Sequence, residues 1–136
     1  MATVKQFEDL EIWQSARILC DAIHTIAINT KLRKDSKLYG QIDGSSGSIM
    51  DNIAKGFERN GNKEFVQFLS IARASCGETR SQLYRLLDRK YITENQFENL
   101  LSQCITLSKM IGGFMNYLKN SDLREAGISQ LANFKL

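Results

Sequence analysis

The sequence predicts an all-α protein, a four-helix bundle whose neighbouring helices run antiparallel. Three observations carry that prediction. No proline occurs in 136 residues; sheets and loop-rich folds usually hold some, so long uninterrupted helices are favoured. Apolar residues recur at three- and four-residue steps in four separate segments, and no alternating strand pattern appears. The connections between segments are short, which sets successive helices side by side and opposed. A chain of this length is one domain and can bury a core without disulfides.

The helical pattern is clearest in the third segment. Projected on a helix, Phe65, Phe68, Leu69, Ala72, Cys76, Thr79, Leu83, Leu86 and Leu87 share one stripe, a band roughly 120° wide. Ile71, Glu78, Arg85 and Arg89 lie on the far side. Arg73 and Arg80 sit on one shoulder with Val66, Tyr84 and Tyr91, a candidate second contact surface.

The other elements follow in order. Residues up to Phe7 read as a short leader. The first helix is expected near 9–30, with Ile12, Ala16, Leu19, Ile23 and Ile26 on its stripe and Glu8, Asp9 and Glu11 at the positive end of its dipole. Lys31 to Lys37 (KLRKDSK) reads as a solvated basic connection. The second helix is expected near 37–59, started by Asp35 or Ser36 as N-cap. Its first half, YGQIDGSSGS, is a poor helix on propensity, yet the stripe Leu38, Ile42, Ser45, Ile49, Ile53 and Gly56 runs through it. A phosphate loop is not indicated, because no Gly-Lys-Ser/Thr ending and no preceding strand are present. The third helix is expected near 62–90, after a turn at Asn60-Gly61-Asn62. The fourth, near 93–119, opens on a capping box from Thr93 to Gln96 and carries Phe97, Leu100, Leu101, Cys104, Leu107, Ile111, Phe114 and Leu118. Residues 1–120 thus form the bundle. In the tail, 121–136, the pattern fades, and a short docked piece and a mobile end both fit.

The search for catalytic chemistry finds little. His24 is the single histidine, and it falls off its helix's stripe. A di-iron bundle needs inward Glu residues and two Glu-x-x-His pairs, which this chain lacks. No C-x-x-C or nucleophile motif occurs. Cys20, Cys76 and Cys104 lie in three different helices on or beside the apolar stripes and read as buried reduced thiols. No catalytic, metal or cofactor site is predicted, so the chain is not expected to be an enzyme. The N-terminus shows no apolar signal region, and no apolar run approaches the ~18 residues of a membrane span. A cytoplasmic protein with no membrane partner is expected.

The remaining signal is cationic. The net charge is only +3, but Ile53 to Lys90 holds eight Lys or Arg against four acids, so the excess is concentrated there. Lys55, Arg59 and Lys63 cluster at the turn between the second and third helices. Arg73, Arg80, Arg85 and Arg89 follow along the third. Such clusters bind phosphate backbones through counterion release, with Arg suited to bidentate contacts. Tyr84 and Tyr91 could stack on bases. The plain alternative is a solvated, salt-bridged face. A different functional alternative is a protein-interaction scaffold in which Val66, Arg73, Arg80, Tyr84 and Tyr91 form the subunit interface.

Three stretches resemble the four-helix bundle protein family, also called the 23S rRNA intervening-sequence proteins. FEDLEIWQSARIL at Phe7 to Leu19 resembles its opening, with Leu10, Trp13 and Ala16 in place. SIMDNIAKGFER at Ser48 to Arg59 is similar to its Ser-Ile-Pro-Ala-Asn-Ile-Ala-Glu-Gly signature, matching at Ser48, Ile49, Asn52, Ile53, Ala54 and Gly56. KEFVQFLSIARASCGETRSQL at Lys63 to Leu83 resembles its third-helix run through Phe65, Phe68, Leu69, Ala72, Ser75, Glu78, Gln82 and Leu83. Order and spacing agree over about residues 7–119. Met50 replaces the usual proline, Asp51 a small residue, and Lys55 an acid; the second helix should be straighter and the turn more basic. The resemblance implies a left-handed up-down-up-down bundle assembled as a homopentamer. Some members are encoded in inserts of bacterial 23S rRNA genes. The family is also similar to the accessory protein of diversity-generating retroelements, which binds nucleic acid beside a reverse transcriptase. RNA or DNA, and by that analogy a reverse transcriptase, are therefore the implied partners.

Overall fold

The computed structural model describes residues 4–121. Four helices account for most of them: α1 (Glu11–Ile28), α2 (Ser36–Phe57), α3 (Asn62–Asp88) and α4 (Glu94–Lys119). No strand occurs among the described residues. Short 3-10 turns at Phe7–Asp9 and Lys31–Lys34 precede α1 and α2. The 121–136 tail lies outside the described residues apart from Ser121.

Each boundary has a local cause. Asp35 caps α2, its Oδ1 accepting from the Leu38 N–H at 3.3 Å. Thr93 and Gln96 exchange side-chain and backbone hydrogen bonds at 3.1 and 2.9 Å, the capping box that starts α4. Gly61 enters α3 at φ 103, a backbone conformation other residues resist. At the other end of α3, Lys90 takes φ 61. The Tyr91 N–H then bonds the Leu86 carbonyl and the Lys90 N–H bonds the Leu87 carbonyl, both at 2.9 Å, which is a Schellman closure.

Packing fills the centre with the expected stripes. Leu38, Ile42, Ile49 and Ile53 of α2, Leu69, Ala72, Cys76 and Leu83 of α3, and Cys104 and Ile111 of α4 are all fully buried. The glycine- and serine-rich half of α2 is helical, as its stripe requires, and α2 runs unbroken through Met50. Burying that much apolar area outweighs its weak propensity. Two expectations need correction. The segment before α1 is not a free leader, because Val4 and Leu10 are buried and Phe7 packs edge-on against Trp13 at 5.2 Å. The basic connection is not merely a solvated loop either. It folds as a 3-10 turn around Leu32, which is fully buried, while its cations stay exposed.

Contacts between α2 and α3 pair Asp35 with Arg89, Gln41 with Arg85, Ser45 with Thr79 and Gln82, and Ser48 with Ser75. These two helices therefore run antiparallel. Between α3 and α4, Arg73 meets Ser108 and Tyr84 meets Phe97, again in opposed order. Gly56 lets α2 approach α3 closely: a Cβ there would stand 2.7 Å from Phe65 Cδ1 and 2.9 Å from Phe68 Cβ. The α2–α3 seam also carries a polar layer. Ser45 Oγ donates to Gln82 Oε1 at 2.5 Å and shares a hydrogen bond with the Thr79 hydroxyl at 2.9 Å. Among the described residues no buried side-chain nitrogen or oxygen lacks a partner, so in this layer hydrogen bonds offset the desolvation of each buried polar group.

Candidate functional site

The seven cations singled out from the sequence divide into three places. Lys63, Arg73 and Arg80 lie along the edge of α3 that faces α4. Arg85 and Arg89 face α2 at the opposite end of the molecule. Lys55 and Arg59 stand at the end of α2, where the Arg59 guanidinium covers the Phe68 ring at 5.2 Å from its centroid.

The α3–α4 groove gathers further cations. Arg73, Lys109, Asn116 and Lys119 line a cavity of about 350 Å³ beside Gly112 and Gly113. A second cavity of about 450 Å³ follows along the same groove, lined by Asn62, Lys63, Val66, Gln67 and Leu118, and shares Lys119 with the first. Neither cavity has an acidic residue in its wall. Arg80 continues the row, close enough for its charge to act on the Cys104 thiol of α4. Val66 and Tyr84 share this edge; the Tyr84 ring is half exposed and meets Phe97 edge-on at 4.9 Å. Tyr91 does not join them. The left-handed Lys90 takes the chain out of helical phase, and the Tyr91 hydroxyl donates instead to Asp35 Oδ2 at 2.8 Å.

The basic connection, read from the sequence as a solvated loop, is tied by one junction to the end of α3. Asp35 binds both the Tyr91 hydroxyl and Arg89, whose Nη1 lies 2.8 Å away. That junction ties the end of α3, with Arg89 and Lys90, to the segment that carries Lys31, Arg33, Lys34 and Lys37, whose Leu32 is buried. All six are exposed. The available signal was the single leucine within KLRKDSK, which a wholly solvated loop has no use for.

Arg89–Asp35 is the only ion pair among the described residues. The Asp35 carboxyl is held below its ordinary value, first by the Tyr91 hydrogen bond, then by the Leu38 N–H and by Arg89. The same hydrogen bond, followed by burial, raises Tyr91. A lowered carboxyl stabilises the fold above the ordinary carboxylate range and ceases to do so as pH falls through its lowered value. A raised phenol contributes below its ordinary ionisation and fails as pH rises through the raised one. Asp35→Asn keeps a capping acceptor but loses the charge. It should melt below the wild type at neutral pH, with the gap closing as the solution is acidified, in thermal melts followed by circular dichroism.

His24 is exposed, its Nδ1 2.9 Å from the Tyr39 hydroxyl. Among the described residues no three His, Cys, Asp or Glu side chains converge on a metal-sized site. Burial pushes the Cys76 and Cys104 thiols up to about 12, and Cys20, half-buried, is raised by the same cause. Such thiols are poor nucleophiles. A maleimide added at neutral pH should leave Cys76 and Cys104 unlabelled in the folded protein and label all three cysteines in denaturant, as mass spectrometry would read. Among the described residues no helix is long and apolar enough to cross a membrane.

Fold and surface together define a small all-α bundle with unpaired cations gathered along its α3–α4 groove. The chain belongs to the 23S rRNA-intervening sequence protein family, whose model matches residues 8–113. It is also similar to a solved structure from Bacteroides thetaiotaomicron, described as a protein with unknown function from the S23 ribosomal protein family. The two are 22% identical with a TM-score of 0.69, over 76% of this chain and 97% of that one. At that identity the likeness speaks for the fold. No curated protein matches the chain.

Proposed function

We propose that this chain is a non-enzymatic, oligomeric helical bundle that binds the sugar–phosphate backbone of RNA or DNA through the α3–α4 groove. Lys63, Arg73 and Arg80 from α3 and Lys109 and Lys119 from α4 supply the charge. One observation carries the reading: Lys63, Arg73, Lys109 and Lys119 line one groove with no acid in the cavity walls, Arg80 lies beyond them near Cys104, and none of the five has an ion pair among the described residues. A salt-bridged structural face would have matched them with carboxylates. Repeating the groove around an oligomer multiplies the contacts to one strand and raises avidity. Family membership agrees with a link to RNA but assigns no residue.

A second reading is favoured by the half-exposed Tyr84, which shares one edge of α3 with Val66, Arg73 and Arg80. On it, that edge of α3 is the contact between subunits, and the protein is an interaction scaffold that binds no nucleic acid. Sedimentation separates the two. Under the first reading, wild-type protein co-sediments with mixed-sequence RNA, and Arg59→Glu, Arg73→Glu and Arg80→Glu together abolish this while the protein's own oligomer persists. Under the second, the same triple change dissociates the oligomer and the wild type never shifts with RNA.

A further inference from the structure

We propose that the Arg73 guanidinium, laid flat over Gly112, presents its open N–H edge as a formed site for a single phosphate group. The proposal deepens the backbone-binding reading and rests on it for the source of the phosphate. The geometry begins with an absent side chain. A Cβ on Gly112 would stand 3.0 Å from Arg73 Cζ and 3.2 Å from both terminal nitrogens. Nearly equal distances to the three atoms mean that the guanidinium lies flat across the space a side chain would fill. Among the described residues its one hydrogen bond is from Nε to Ser108 Oγ, at 3.4 Å. Both Nη groups keep their donors for another acceptor.

Around that plane, Lys109 and Lys119 add two ammonium groups and Asn116 adds an amide, in a cavity of about 350 Å³. Small-ligand pockets begin at about that size. A planar fork with open donors suits a tetrahedral oxyanion, because two parallel N–H groups match two phosphate oxygens. Lysines from the next helical turns can reach the remaining oxygens as point charges. This differs from a diffuse basic surface in one respect: it depends on a glycine. In a diffuse patch only charge counts, and an added methyl at Gly112 would change nothing.

The experiment uses the full chain. Inorganic phosphate is titrated against wild type, Gly112→Ala, Arg73→Lys and the control Gly77→Ala, where an added Cβ meets open space. Arginine Nε resonances report the phosphate, and fluorescence anisotropy reports affinity for a short mixed RNA at fixed salt. Gly112→Ala meets only the movable end of a long side chain, so the fold survives. Expected is a saturable shift of the Arg73 resonance in wild type and Gly77→Ala that is lost in Gly112→Ala. RNA affinity should fall on the order of tenfold in both Gly112→Ala and Arg73→Lys, as for a lost charge-assisted fork. If Gly112→Ala binds RNA as wild type does, the formed site is overturned while backbone binding stands. If wild type binds no RNA, the phosphate titration still decides: a saturable Arg73 shift supports the site, and none overturns it.

Discussion

Gly56→Ala lowers the thermal midpoint of this protein, although it replaces a poor helix former with the best one. Propensity alone favours the change by about 1 kcal/mol. Packing opposes it more strongly. The new methyl would stand 2.7 Å from Phe65 Cδ1 and 2.9 Å from Phe68 Cβ. A Cβ is fixed to its backbone, so the Phe68 contact cannot be relieved by rotating a side chain. The Phe65 ring is no freer, since it meets Phe57 and Phe114 edge-on at centroid distances of 6.2 and 5.5 Å. Relief requires α2 and α3 to part, which opens the α2–α3 polar layer as well. Overpacking of this kind costs about 1–3 kcal/mol, and more when backbones must move. The net result should be a loss of about 1–2 kcal/mol, a few degrees in midpoint for a domain of this size. Gly44→Ala and Gly47→Ala provide the contrast, because nothing lies within 4 Å of a Cβ at either position. There propensity acts unopposed, and each should raise the midpoint. Melts of the three variants would disprove the close α2–α3 approach if Gly56→Ala were stabilised like the other two.

That difference between glycines shows where sequence reading stops. Periodicity places Gly56 on the buried stripe of α2 together with Ser45, and both positions are buried. It does not say that Ser45 would find Gln82, thirty-seven residues away, because the pairing register of two helices is not written in the period of either. The same gap explains the site. Val66, Arg73, Arg80 and Tyr84 are legible as one edge, being spaced at helical repeats within one element. Lys109 and Lys119 join them only through the way α3 lies on α4. Extending the helical phase past Lys90 puts Tyr91 on that edge, but the φ of 61 at Lys90 breaks the phase. Leu32 sits in a four-residue turn too short to show any period, and the meeting of Asp35, Tyr91 and Arg89, which brings α3's last cations to that basic turn, has no mark in the sequence.

Arg73→Glu combined with Arg80→Glu should remove nucleic-acid binding, and the salt dependence of the wild type should report how many cations are engaged. Five groove cations each neutralising one phosphate predict a slope of log affinity against log salt of about −3.5 on a single strand and −4.5 on a duplex. Changing Lys109 or Lys119 alone to Gln should weaken binding moderately and shift the slope toward zero by about one contact's worth. The double reversal deletes two contacts and sets two carboxylates in the groove, where like-charge repulsion acts on the same phosphates. All four residues are exposed or on the groove rim, so circular dichroism should show an intact helical fold in every variant. The comparison that locates the surface is the other cationic cluster. Reversal of Lys31, Lys34 and Lys37 removes still more charge, from the far end of the bundle, while leaving the groove untouched. Groove binding requires the double reversal to abolish the anisotropy change and the far-end triple to retain most of it. The opposite pattern would move the polyanion to the turn built on Leu32, and equal losses from both would mean that net charge alone is being read.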